Sequence, residues 1–137
     1  MAVNMSYPKP RSTQVKMFAI AREDNGTSKC VLPKGAIVVG AYVILSGACA
    51  GTTATISCGY GGSANELVAG FVVSTADAGY HAVATKAGAD VIAGTKQTAD
   101  RIIKSTYAAG DSGETTGALG FIKLEYFVPG PGETIAS

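Results

Sequence analysis

The chain has 137 residues and a net charge of +1, with 11 Lys and Arg against 10 Asp and Glu. That length is one domain's worth, and the balanced, scattered charge excludes a counterion-release grip on nucleic acid, which needs clustered Lys and Arg. Charged residues make up 15% and hydrophobic ones 47%, so a domain this small is expected to hide part of its surface in an assembly.

Residues 1–13, MAVNMSYPKPRST, read as an extended arm. Pro8 and Pro10 forbid helix and bias their neighbours to extended backbone. Tyr7 is the aromatic that would anchor such an arm on a partner, with Pro8, Pro10 and Arg11 beside it. The segment lacks the apolar core of a secretory signal. No apolar run approaches the roughly 20 residues of a membrane-spanning helix. The expectation is synthesis in a reducing cytoplasm, without membrane contact.

Gln14 to Arg22 is the first predicted strand. Val15, Met17, Ala19 and Ala21 share one face, and Lys16, Phe18, Ile20 and Arg22 share the other. Asn25-Gly26 favours a tight hairpin turn, and Lys29 to Leu32 returns as a short strand. Pro33-Lys34-Gly35 then turns the chain into LPKGAIVVGAYVIL, residues 32–45, the longest apolar run. Its β-branched residues and Gly40 favour strand over helix. Alternation puts Ile37, Val39, Ala41, Val43 and Leu45 on one face and Val38, Gly40, Tyr42 and Ile44 on the other. Because both faces are apolar, the strand is expected to be covered on both sides. One face packs the core; the other, through Val38, Tyr42 and Ile44, meets the second layer or a sister subunit.

Gly47 and Gly51 mark a turn. Thr53 to Gly59 alternates, with Ala54, Ile56 and Cys58 inward and Thr53, Thr55 and Ser57 outward, which predicts a hairpin with the strand at 36–46. Cys49 and Cys58 flank that hairpin and would face each other, but buried thiols are the plainer reading than a disulfide. Gly59 to Asn65 is a loop, and Glu66 to Val73 reads as one helical turn leading into a strand. Tyr80 to Thr85 and Ala89 to Ala93 are short strands. Arg101 to Ala108 is a longer one, with Ile103, Ser105 and Tyr107 opposite Ile102, Lys104 and Thr106. Ala109 to Gly117 is a loop. Ala118 to Val128 closes the domain, with Ile122, Leu124, Tyr126 and Val128 inward and Lys123 and Glu125 outward. Pro129-Gly130-Pro131-Gly132 stops that strand and opens a tail. Eight or nine short strands with glycine turns predict an all-β fold: a single-domain, jelly-roll-like β-sandwich over 14–128, between the arm at 1–13 and the tail at 129–137.

Residues that would carry chemistry are sparse. His81 is the one histidine, and no short-range cluster offers it metal-binding partners. Asp24, Asp77, Asp90, Asp100 and Asp111 sit mostly in predicted turns, where Asp accepts local backbone hydrogen bonds. Asp111-Ser112-Gly113-Glu114 comes nearest to a calcium loop but lacks the ligand offsets. Gly59-Tyr60-Gly61-Gly62 has no Gly-Lys-Ser/Thr ending and no following helix, so it is no phosphate loop. A GxSxG nucleophile elbow does not occur. No catalytic residue, metal ligand or cofactor is assigned, and an enzyme is not expected. Tyr60 and Tyr80, beside glycines, are the aromatics that would stack on a sugar.

Taken together, LPKGAIVVGAYVIL, the Gly-Thr turn, the alternating TATISCGYG and the closing GALGFIKLEYFV resemble small virion structural proteins of tailed bacteriophages. The resemblance is to the capsid decoration (cement) and head-fibre type, covers residues 14–128, and lies in pattern and composition. It implies a homotrimer on the outer surface of the virion shell, where capsomers of the major capsid protein meet. There it would clamp its neighbours against internal DNA pressure, with no active site and no direct contact with nucleic acid. The alternative reading is a carbohydrate- or receptor-binding module of a phage fibre or tail, with glycan contacts at Tyr60 or Tyr80.

Overall fold

The computed structural model describes residues 13–47, 49–61, 67–83 and 99–128. Among the described residues there are eight strands and no helix. The strands are β1 (Gln14–Ala21), β2 (Asn25–Leu32), β3 (Ile37–Leu45), β4 (Thr55–Gly59), β5 (Val68–Val72), β6 (Gly79–Val83), β7 (Arg101–Ala108) and β8 (Ala118–Phe127). They form two four-stranded antiparallel sheets, β1-β8-β3-β6 and β2-β7-β4-β5. The expected β-sandwich is therefore present. β1 pairs with β8, β2 with β7, β3 with β6 and β4 with β5. A chain folded first as one long antiparallel ribbon, then wrapped into two layers, has these pairs. The β8–β3 and β7–β4 ladders close the wrap.

Period-two alternation explains the core. Phe18 and Ile20 on β1, Ala41, Val43 and Leu45 on β3, and Leu119, Ile122, Leu124 and Tyr126 around β8 point in from one sheet. Leu32, Ala54, Ile56, Cys58, Val68, Ile103 and Tyr107 meet them from the other. The inward and outward sets read from the sequence for 53–59 and 122–126 match the burial pattern, and of the two opposed sets in 101–108 the one with Ile103, Ser105 and Tyr107 is buried.

Two expected hairpins are absent. The strand at 36–46 does not pair with that at 53–59: β3 and β4 lie in different sheets, so the chain crosses the sandwich between them. Asn25-Gly26 is not a hairpin turn either. β1 and β2 also lie in different sheets, the chain turns at Arg22-Glu23, and Asn25 and Gly26 already belong to β2. Alternation assigns faces but is silent on partners, and two adjacent apolar strands can as well oppose as pair. The strand expected within 66–73 is present as β5, and no helical turn precedes it among the described residues. The expected strand at 89–93, the arm and the tail lie outside the described residues.

β3 departs from strict alternation. Val38 pairs with Tyr126, but Gly40 pairs with Glu125, so one extra residue, Val39, stands in the ladder. This β-bulge reverses the facing of everything before it. Val38 is 0% exposed and belongs to the core, whereas Val39 is 52% exposed. The expectation that Val38 shares an outward face with Tyr42 and Ile44 is thereby corrected. Only one side of β3 from Ala41 onward is buried; Tyr42 and Ile44 on the other side are half-buried.

Asp24 holds the corner where the chain changes sheets. Its buried carboxylate accepts from Ser105 Oγ at 2.6 Å, from Lys29 Nζ at 2.9 Å and from Ala21 N at 3.1 Å. Its carbonyl accepts from Tyr107 N at 2.9 Å. Gly120 is as constrained. Its φ is +152°, and a Cβ there would collide with the carbonyl oxygen of Ile44 on the paired strand.

Two outcomes are expected. Asp24→Ala leaves Ser105 and Lys29 without their buried acceptor and should cost roughly 2–4 kcal/mol in chemical denaturation, while Asp24→Ala with Ser105→Ala should recover part of the loss. Gly120→Ala should cost at least about 2 kcal/mol through backbone strain and a broken β8–β3 ladder; wild-type stability in that variant would contradict the pairing of Gly120 with Leu45.

Candidate interaction face

Two clusters stand out, one at an end of the sandwich and one on an outer face. The end cluster joins three chain crossings. Asp111, in the loop between β7 and β8, reaches the crossing between β3 and β4. It accepts from Thr52 N at 2.7 Å, Thr52 Oγ1 at 2.7 Å, Thr53 N at 2.8 Å and Thr53 Oγ1 at 3.0 Å. Glu114 Oε1 accepts from Cys49 Sγ and Ala50 N, each at 3.2 Å, and lies 3.3 Å from Arg22 Nε. Tyr107 Oη donates to Glu114 O at 2.9 Å and lies 3.0 Å from Ser112 Oγ. Hydrogen bonds from the Thr52 hydroxyl first, then from the Thr52 and Thr53 amides, hold the Asp111 carboxyl well below its usual range. The Cys49 thiol, then Ala50 N and Arg22, do the same for Glu114.

These contacts are stapling, not ligation. Asp111 spends its lone pairs on the opposite crossing, so its bonds are long-range rather than the local turn bonds expected. Among the described residues no group of three or more His, Cys, Asp or Glu side chains is placed to hold a metal ion. Cys30, Cys49 and Cys58 form no disulfide, and burial pushes the Cys30 thiol up. His81 lies on β6 with its ring 5.6 Å from that of Phe71 and its Nε2 2.7 Å from Asp77 O.

The second cluster is the outer face of the β1-β8-β3-β6 sheet. Paired residues of an antiparallel sheet point to the same side, so the registers define rows. Met17, Lys123, Tyr42 and Ala82 form one row; Ala19, Phe121, Ile44 and Tyr80 form the next; Val15, Glu125 and Gly40 form a third. Val15 is 50% exposed, Met17 54%, Phe121 44% and Tyr80 53%. At the centre, Lys123 Nζ lies 4.9 Å from the ring centroids of both Tyr42 and Tyr80, whose rings are 5.0 Å apart. Tyr42 Oη donates to Glu125 Oε1 at 3.0 Å, and Lys123 Nζ lies 3.4 Å from Glu125 Oε2. Gly40 makes room for this bond, because a Cβ there would lie 3.1 Å from Glu125 Oε1 and from Tyr42 Oη. The bond to Glu125 raises the Tyr42 phenol, and the Tyr80 hydroxyl, ahead of Glu125, raises the Lys123 ammonium.

The opposite outer face differs. On β2-β7-β4-β5 the outward residues include Ser28, Lys104, Thr106, Ser57 and Thr55, with Val31, Ile102 and Val72 toward its margins. The apolar, aromatic outer face therefore belongs to one sheet.

Of the residues singled out from sequence, this face brings together Tyr42, Ile44 and Tyr80. Val38 is in the core. Tyr60 lies just past β4, in the other sheet, with Arg101 Cζ 4.7 Å from its ring centroid. Tyr7, Pro8, Pro10 and Arg11 lie outside the described residues. Val15, Met17 and Phe121 are not among the residues singled out, yet their signal is present. Each shares strand parity with residues that face outward, Phe121 with Lys123 and Glu125.

No protein-family model and no curated protein sequence matches the chain. Among solved structures it is similar to a chain of the cyanophage Pam1 capsid asymmetric unit, with a TM-score of 0.65 over 94% of each chain and 18% sequence identity. At that identity the likeness concerns the fold.

The end cluster carries a pH prediction. Asp111 ionises far more readily in the folded chain than at its ordinary 3.8, so its contribution is complete above about pH 4 and is lost as pH falls below that value. Asp111→Asn should lower the melting temperature most at pH 6–7, and the gap to wild type should narrow below about pH 4. A gap that stays constant from pH 7 to pH 3 would remove the carboxylate from that role.

Proposed function

We propose that this chain is a structural protein of a tailed-bacteriophage virion, of the capsid decoration or cement type. It assembles with itself as a homotrimer and sits on the outer surface of the shell. There it bridges capsomers of the major capsid protein and stabilises them, without catalytic activity and without touching nucleic acid. It is made in the host cytoplasm and joins the particle as a folded domain.

The observation that carries this reading is the end-to-end fold match with a chain of a phage capsid, covering 94% of both chains. The ribbon winding of eight strands supports the jelly-roll label. The physical features agree with a passive, load-bearing part. The crossings are clipped together by Asp111, Glu114 and Asp24, so the domain resists shear between its sheets. One outer sheet face is apolar and uncovered in the single chain, which suits a protein that finishes its surface by assembly. Many modest contacts, repeated over a shell, add up through multivalency.

The test is addition of the purified protein to capsids assembled without it. Co-sedimentation that saturates at a fixed ratio to the major capsid protein is expected, with new density on the outer surface by cryo-electron microscopy and a higher disruption temperature. Absence of co-sedimentation would end the decoration reading. Binding on a glycan array that is abolished by Tyr80→Ala would favour the carbohydrate-binding module instead.

A further inference from the structure

We infer that the outer face of β1-β8-β3-β6 is a self-contact: it is covered by a second copy of this chain, with Lys123 of one copy against Glu125 of the next. This self-contact rests on the self-association proposed above and needs no shell.

Four observations carry it. First, the face has the extent of a functional patch. With about 4.8 Å between strands and about 3.3 Å per residue, four strands over five residues span roughly 19 Å by 17 Å, about 320 Å² in projection. That lies in the range of the largest patch on a single domain, which is often functional, and it would form the centre of an interface that buries about 800 Å² per partner.

Second, the composition is that of a protein contact. Tyr, Phe and Met are enriched at interface cores, and the Lys and Glu that such cores ordinarily lack are here paired with each other. Tyr42, Tyr80, Phe121 and Met17 are the large side chains of the central rows. Third, the charges select the partner. Among the described residues the rows carry one cation and one anion, Lys123 and Glu125, two positions apart on β8 and 3.4 Å from each other. A patch with one charge of each sign is neutral overall and complementary to itself under closed symmetry, because the Lys of each copy can meet the Glu of a neighbour. A partner of single-signed charge would gain nothing from it.

Fourth, stoichiometry agrees. Every copy exposes this face as soon as it folds, and another copy is the one partner present in equal number at that moment. The opposite outer face exposes Val31, Ile102 and Val72 but no large aromatic, and Lys104, Thr106 and Ser57 lie among them.

The experiment uses the full chain and no capsids, with mass read by light scattering and sedimentation and folding checked by circular dichroism melts. Wild type should be oligomeric. Met17→Lys with Phe121→Lys should yield folded monomer, whereas Ile102→Lys on the opposite face should keep the wild-type mass. Lys123→Glu and Glu125→Lys should each weaken self-association about tenfold or more, since like charges then face each other. Mixing those two single variants should restore association between them, which a contact confined to one chain cannot produce. Monomeric wild type, an unchanged mass for Met17→Lys with Phe121→Lys, or no association in the mixture would each overturn the self-contact. A monomer that still co-sediments with capsids would leave the decoration reading standing alone.

Discussion

The register of β8 is the constraint on which the rest of the molecule depends. β8 lies between β1 and β3 and pairs with both along nearly its whole length. Its even-numbered residues Ile122, Leu124 and Tyr126 build the core, and its odd-numbered residues Phe121, Lys123 and Glu125 build the outer face. A slip of one residue would exchange the two sets. Gly120 guards against that slip, since its bare Cα is what lets the Ile44 carbonyl approach. The first and last strands of the domain are thus locked in one sheet, which closes the ribbon and joins distant parts of the chain.

Closing a ribbon in this way creates crossings between sheets, and crossings carry backbone groups that neither ladder satisfies. The chain meets that need with carboxylates. Asp24 satisfies Ala21 N and Ser105 at one corner, Asp111 satisfies the amides of Thr52 and Thr53, and Asp100 accepts from Lys34 N at 2.7 Å. Each bond to an ionised acceptor is stronger than a neutral one. The scarcity of charge elsewhere makes this use plain: a large share of the acidic residues is committed to fastening loops. Side chains so engaged spend their acceptor capacity on the fold itself.

The two outer faces divide the remaining roles. One mixes hydroxyl groups and Lys104 with the exposed aliphatic side chains Val31, Ile102 and Val72. The other presents aromatic and aliphatic groups around a Lys–Glu pair cushioned by Tyr42 and Tyr80. Cation–π contacts of this kind contribute about 0.5–1 kcal/mol at exposed sites, offsetting part of the roughly 1.5–2 kcal/mol of conformational entropy that fixing a Lys side chain costs. The asymmetry between sheets therefore links the core register, through strand parity, to the way the domain presents itself to other molecules.

The amino-acid sequence by itself determined the class of fold and the facing of residues within strands. Alternation along 53–59 and 122–126 identified Ile56, Ile122 and Leu124 as inward, and along 101–108 it set Ile103 and Ser105 on one face, because a pleated strand points successive side chains to opposite sides whatever its partner. The β-branched, apolar content of residues 32–45 marked a strand, and β3 is that strand, buried on one side from Ala41 onward rather than on both. Only the tertiary structure decided which strands pair. The crossing from β3 to β4 and the β1–β2 corner both carry hairpin-like signals, yet their strands lie in opposite sheets, because local turn preference is weaker than the closure of a whole ribbon. It also decided where parity breaks: the bulge at Val39 sends Val38 into the core, and no local pattern in IVVGAYVIL announces it. The outer face was half legible for the same reason. Tyr42, Ile44 and Tyr80 stood out singly, but their union with Met17 and Phe121 depends on β1, β8, β3 and β6 lying side by side, and that order is set by pairings between residues distant in the chain.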